Sequence, residues 1–157
     1  MTDQHIPGGP GWVVDSTTLR PRVVDPRTFE ADRADDDLTP ILLHLWGEDA
    51  QRAAESLAAL PESYRRQVLL AEAWSRLGRH QESVQLLETL HAKTREPGRR
   101  IHLADQLGRA LLAAGQPEGA LAHFTRALQA RIASGASADQ VQVLRRGALL
   151  ARERMAG

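Results

Sequence analysis

Three glycines divide most of this chain into stretches of helical periodicity, and that division narrows the folds open to it. Gly47, Gly78 and Gly115 each follow an apolar-periodic run. Each stands where a helix ends in a left-handed residue, a conformation that costs little only for glycine. The runs they close predict helices over residues 41–46, 62–77 and up to residue 114. A run ending at Leu60 is closed by Pro61, another covers residues 80–94 ahead of Pro97-Gly98, and a further helix opens at Pro117. Thr39-Pro40 reads as a hydroxyl cap followed by a first-turn proline, where no amide hydrogen is needed. Ser137-Ala138-Asp139-Gln140 has capping-box spacing and starts a last helix running to about Met155. The expectation is seven helices joined by short turns, with no strand after Thr39.

The helices come in pairs, and their spacing is periodic. On the second helix of each pair, small and large residues recur at i, i+4 and i+7: Ala53, Leu57, Leu60, then Ser83, Leu87, Leu90, then Ala120, Phe124, Ala127. The offsets are 30 and 37 residues, which is the range of helical-repeat arrays. The larger offset predicts an inserted loop around residues 95–99. Aromatics make up only 4% of the chain, and the abundant alanine and leucine suit closely approaching helices better than a sandwich.

Residues 1–37 read differently. They hold Gly8-Gly9-Pro10-Gly11, Pro21, Pro26 and the acids Asp32, Asp35, Asp36 and Asp37. Trp12-Val13-Val14 and Val23-Val24 are too short to make a sheet of their own, so this segment is expected to be an extended or partly disordered acidic arm. Residues 38–157 are expected to form the helical domain. The net charge of zero is a cancellation: residues 1–60 carry eleven acids and five bases, and residues 61–157 carry nine acids and fifteen bases. Of the bases only Lys93 is lysine, a bias that reads as a high-GC bacterial codon preference.

On these residues the chain resembles a tetratricopeptide repeat protein. Residues 101–132 carry the resemblance best. Leu107-Gly108 stands at the Leu-Gly pair of the first helix, Gly115 at the turn, and Ala120, Phe124 and Ala127 at the second-helix positions. Residues 64–95 follow more loosely through Leu70-Ala71, Trp74, Gly78, Ser83, Leu87 and Leu90, and residues 40–60 look like a truncated unit. Ala104 departs from the pattern, which has a large aromatic there. The resemblance implies an all-α solenoid of about three repeats. The last helix, with Val141, Leu144, Ala148, Ala151 and Met155 on one stripe, would cap it.

The sequence offers little chemistry. It has no cysteine, hence no disulfide, thiol nucleophile or zinc ribbon. Gly8-Gly9-Pro10-Gly11 lacks the lysine of a phosphate loop, and there is no G-x-S-x-G or H-E-x-x-H. The six histidines, at 5, 44, 80, 91, 102 and 123, never fall at the i, i+4 spacing of a helical metal site. Asp35-Asp36-Asp37 lacks the alternation of a calcium loop. No catalytic residue, metal or cofactor is expected. No apolar run is long enough to span a membrane and no signal-peptide pattern opens the chain, so the expected compartment is the cytoplasm.

The expected function is therefore protein binding, as an adaptor or scaffold. The resemblance implies a concave groove lined by the first helices of successive repeats. Mapped onto this chain, its contact positions are Arg65, Glu72, Arg76, His102, Asp105, Gln106 and Arg109, with Gln142, Arg145 and Arg146 from the last helix. This set leans positive and points to an acidic or carboxylate-bearing peptide. The acidic arm could fold back on the basic array and compete with a partner. A second apolar stripe, Val143, Gly147 and Leu150, could take that arm or a second copy of the chain as a homodimer. The alternative is a nucleic-acid-associated or regulatory protein using the basic array of residues 61–157. The scarcity of aromatics and the lack of a recognition helix weigh against it. The chain could also be one piece of a larger regulator.

Overall fold

The structure, a computed structural model, describes residues 5–157. Among them run three strands, β1 (His5–Gly9), β2 (Trp12–Asp15) and β3 (Pro21–Val23), then eight helices. These are α1 (Pro26–Asp32), α2 (Thr39–Leu45), α3 (Ala50–Ala58), α4 (Tyr64–Arg76), α5 (His80–Lys93), α6 (Pro97–Ala113), α7 (Pro117–Ala133) and α8 (Ala138–Ala156). The fold is mostly helical. Every described strand lies before α1.

Local chemistry accounts for the helix ends. Ser63, Asp49 and Asp25 accept from the amides of Arg66, Arg52 and Thr28, while Glu96 takes those of Gly98 and Arg99. Ser137 accepts from the Gln140 amide as the capping-box spacing predicts. Thr39 is not a cap: its hydroxyl donates to the Arg33 carbonyl, and Leu38 takes the cap position without a side-chain bond. Gly78 and Gly115 have φ of +83° and +77°, as expected of helix terminators. Gly47 is not left-handed; there a Cβ would stand 2.5 Å from the Leu43 carbonyl oxygen, so it serves close approach. The inserted loop expected at residues 95–99 is absent. Only residues 94–96 separate α5 from α6, and the extra length lies in the helices themselves: α5 and α6 have 14 and 17 residues against 9 and 13 in α3 and α4.

Each helix from α2 to α8 packs on the next, and α4 also meets α6 as α6 meets α8. Small residues set the spacing. Ser83 is fully buried and donates to the Ala71 carbonyl at 2.6 Å, joining α5 to α4. Phe124 of α7, also fully buried, lies between Gly108 of α6 and Gly147 of α8. Ala71 and Ala120 are equally sealed. Most of the expected helix stripes are core, but Met155, in the last turn of α8, is 45% exposed.

Residues 5–37 differ most from expectation. In place of an extended arm they form an antiparallel sheet of order β1-β2-β3 and a short helix. The strands are indeed too short to stand alone. What holds them is the helical layer beneath, since the row Ile6, Val14 and Pro21, one residue per strand, is buried against it. Three of the chain's six aromatics pin the other edge: Trp12 stacks on Trp46 at 4.9 Å and Phe29 meets Trp46 edge-on at 5.7 Å. The Arg33 guanidinium lies over Phe29, Trp46 and Trp12 at 4.7, 5.4 and 5.9 Å. Both apolar clusters of the core contain residues from this N-terminal part. Residues 1–4 of the expected arm lie outside the described residues.

Candidate functional site

The face made by α4, α6 and α8 is where the expected groove residues gather, and it is filled by the connection between β2 and β3. This connection is a tight turn. The Asp15 carboxylate accepts from the Thr17 and Thr18 amides, the Leu19 amide donates to the Asp15 carbonyl, and the Asp15 amide donates to Arg20 O. Burial raises the Asp15 pKa, but the hydrogen bonds from Thr18 and Thr17 outweigh it and hold the carboxyl below its usual range. Leu19, at the tip, has φ of +61° and no exposed surface. A leucine in the left-handed region costs ~1–2 kcal/mol, and burying its side chain among α4, α5 and α6 offsets that strain.

Four arginines hold the turn by its carbonyls. Arg76 of α4 donates to Pro21 O at 2.7 Å and Arg109 of α6 to Leu19 O at 3.0 Å. From α8, Arg154 donates to Thr17 O at 3.4 Å and Arg146 to Ser16 O at 2.7 Å. In return Arg20 of the turn donates to Ser75 O. From residue 16 to residue 21 the turn thus crosses α8, α6 and α4 in that order, with two carbonyls held by α8 and one each by α6 and α4. The side-chain carboxylates of the same helices orient the arginines: Glu72 pairs with Arg76 at 3.1 Å and Asp105 with Arg109 at 2.8 Å. Burial disfavours the charge on Arg109, but Asp105 and Glu72 more than compensate and raise its pKa.

Beside the turn a cleft of about 380 Å³ remains open. Trp12, Trp46, Val68, Leu69, Val143 and Leu144 give it apolar walls. Its polar edge carries Glu72, His102, Gln106 and Arg131. Trp46 Nε1 donates to Glu72 Oε2 at 3.0 Å, which ties the aromatic wall to the Arg76 pair. Burial lowers the His102 pKa; Asp105 opposes this, and Arg109 and Arg131 add to it.

Of the ten groove positions read from the sequence, Glu72, His102, Asp105, Gln106 and Arg109 line this cleft, and Arg76 and Arg146 reach the turn. Arg65 does not join them; its guanidinium grips Asp36 with bonds of 2.8 and 2.6 Å. Gln142 and Arg145 lie on the exposed side of α8. The stripe Val143, Gly147 and Leu150 is buried inside the chain. Leu19, Arg20 and Arg154 escape sequence reasoning, since nothing in Thr17-Thr18-Leu19-Arg20 marks it as an insert and Arg154 reads as one more surface cation.

No family model matches the chain, and no curated protein or solved structure matches it. Among the described residues no His, Asp and Glu cluster could hold a metal ion, and no helix is long and apolar enough to cross a membrane.

Proposed function

We propose that this chain is a protein-interaction adaptor, a short helical-repeat solenoid of the tetratricopeptide kind. Its α4, α6 and α8 face receives a turn from a partner protein. In the unbound chain its own residues 16–21 occupy that face. One observation carries the reading: four arginines from three helices converge on the carbonyls of a single turn around one buried leucine. Carbonyl recognition is independent of side-chain identity, so the same donors serve any loop of like shape with an apolar tip. An acidic ligand draws less support, because Arg76 and Arg109 already face Glu72 and Asp105.

The test uses exchange between cis and trans turns. A fluorescent peptide of residues 12–24 is titrated by anisotropy into the wild-type chain and into Leu19→Ser, with folding of each followed by circular dichroism. The wild type should exclude the peptide, because its own turn has a large effective concentration. Folded Leu19→Ser should bind it. A folded variant that ignores the peptide would show that the face does not exchange its occupant.

A further inference from the structure

A second cavity lies on the opposite side of α6 from the β2–β3 turn, where the end of α5, the start of α6 and the last turns of α7 meet. It holds about 260 Å³ and its floor is apolar: Ile101 and Ala104 from α6, Ala127 and Ala130 from α7. The three alanines leave the space that larger side chains would fill. Its rim is cationic, formed by Arg95, Arg100 and Arg126 together with His91.

Among the described residues no carboxylate lines this cavity. Arg95 and Arg126 make no ion pair among the described residues, and Arg100 uses one nitrogen on the carbonyls of His91 and Thr94, both at 2.9 Å. The nearest acid along the chain, Glu96, has both oxygens on the amides of Gly98 and Arg99. His91 belongs to the rim, and His123 stands behind it, ring to ring at 6.2 Å. Burial lowers the pKa of both histidines; Arg100 and Arg126 add to this for His91, and Arg126 and His91 for His123. Burial and the neighbouring cations thus both disfavour the charged imidazole at these two positions. Arg95, Arg100 and Arg126 are exposed, so no counter-ion is required of them. Three guanidiniums set around an apolar floor nonetheless make a positive field that attracts an anion with an apolar part.

We propose that this cavity binds a small amphipathic carboxylate, its short apolar chain on Ile101 and the alanines and its head held by Arg95, Arg100 and Arg126. Guanidinium forks match a carboxylate bidentately. The volume falls below the ~300–1,000 Å³ of sites for drug-sized molecules, which limits the apolar part to a short chain. This site is separate from the α4, α6 and α8 face and does not depend on what that face binds.

Octanoate is the probe, titrated by calorimetry into the full chain while the imidazole resonances of His91 and His123 are followed. Octanoate should saturate a single site and shift both histidines. Acetate, which lacks the chain, and octanol, which lacks the charge, should each bind at least about tenfold more weakly. The double variant Arg95→Gln and Arg126→Gln removes two cations that lack carboxylate partners. It should melt where the wild type melts and lose about tenfold in octanoate affinity. Equal binding of octanol, unchanged affinity in the double variant, or no saturation by octanoate in the millimolar range would each overturn the assignment.

Discussion

Replacing Gly108 by alanine should destabilise the chain, although the change normally strengthens a helix. In a helix interior alanine is favoured over glycine by ~1 kcal/mol. At Gly108, however, an added Cβ would meet Cδ1 and Cε1 of Phe124 at 2.7 Å. The ring cannot retreat, because on its other side a Cβ at Gly147 would meet Cε1 and Cζ at 2.8 Å. Overpacking a closed core costs ~1–3 kcal/mol, and a ring held from both faces calls for the upper end. Subtracting the propensity gain leaves a net loss of about 2 kcal/mol, which lowers a urea midpoint by roughly 1 M. Gly119→Ala is the control, since its Cβ would meet only the flexible end of Leu111, at 3.3 Å. That variant should be neutral or stabilised by up to ~1 kcal/mol. Combining Gly108→Ala with Phe124→Leu should cost less than the sum of the two single changes, with a coupling of about 1 kcal/mol or more. If Gly108→Ala unfolds at or above the wild-type midpoint, the packing of α6, α7 and α8 around Phe124 is wrong.

Further outcomes follow from the turn and its supports. Leu19→Ala should cost ~2–5 kcal/mol for the lost burial. Leu19→Gly should be the milder change by about 1 kcal/mol, the reverse of the usual order, because φ of +61° suits glycine; equilibrium unfolding of both variants decides. Arg109→Met leaves the half-buried Asp105 without its partner and should cost ~2–3 kcal/mol, whereas Arg65→Ala removes a largely exposed pair and should stay within ~1 kcal/mol. Because burial holds His102, His91 and His123 below the ordinary 6.5, the unfolded chain binds more protons just under that pH. Stability should therefore be full above 6.5 and fall as pH drops through the folded values. His102→Gln should reduce the fall, as read from urea midpoints at pH 7.5 and 5.5.

The helices were legible because their punctuation is local. Gly78, Gly115 and the Ser137 cap act within a turn of themselves, and Ser83, Leu87 and Phe124 repeat at a spacing that one face of a helix imposes. The sheet was not legible, because its stability is not local. Ile6, Val14 and Pro21 form a buried row only by virtue of the helices they cover, and no window of three to five residues contains that information. The groove positions emerged in part for the same reason. Glu72, Arg76, Asp105 and Arg109 follow helical spacing, but their use on the carbonyls of residues 19 and 21 depends on a contact between distant parts of the chain. Arg65 shows the converse, since a residue on the expected helix is drawn off by Asp36, an acid in the connection between α1 and α2.

The insertion of Leu19 beside Leu87 and Ala110 is the contact on which the groove reading stands, and methyl-to-methyl nuclear Overhauser effects measure it directly. In the wild-type chain the Leu19 methyls should show cross-peaks to Ala110 and Leu87 and shifts displaced from those of a free leucine. Leu19 methyls at free-leucine shifts, without a cross-peak to either helix, would place the turn in solvent and leave the α4, α6 and α8 face without its occupant.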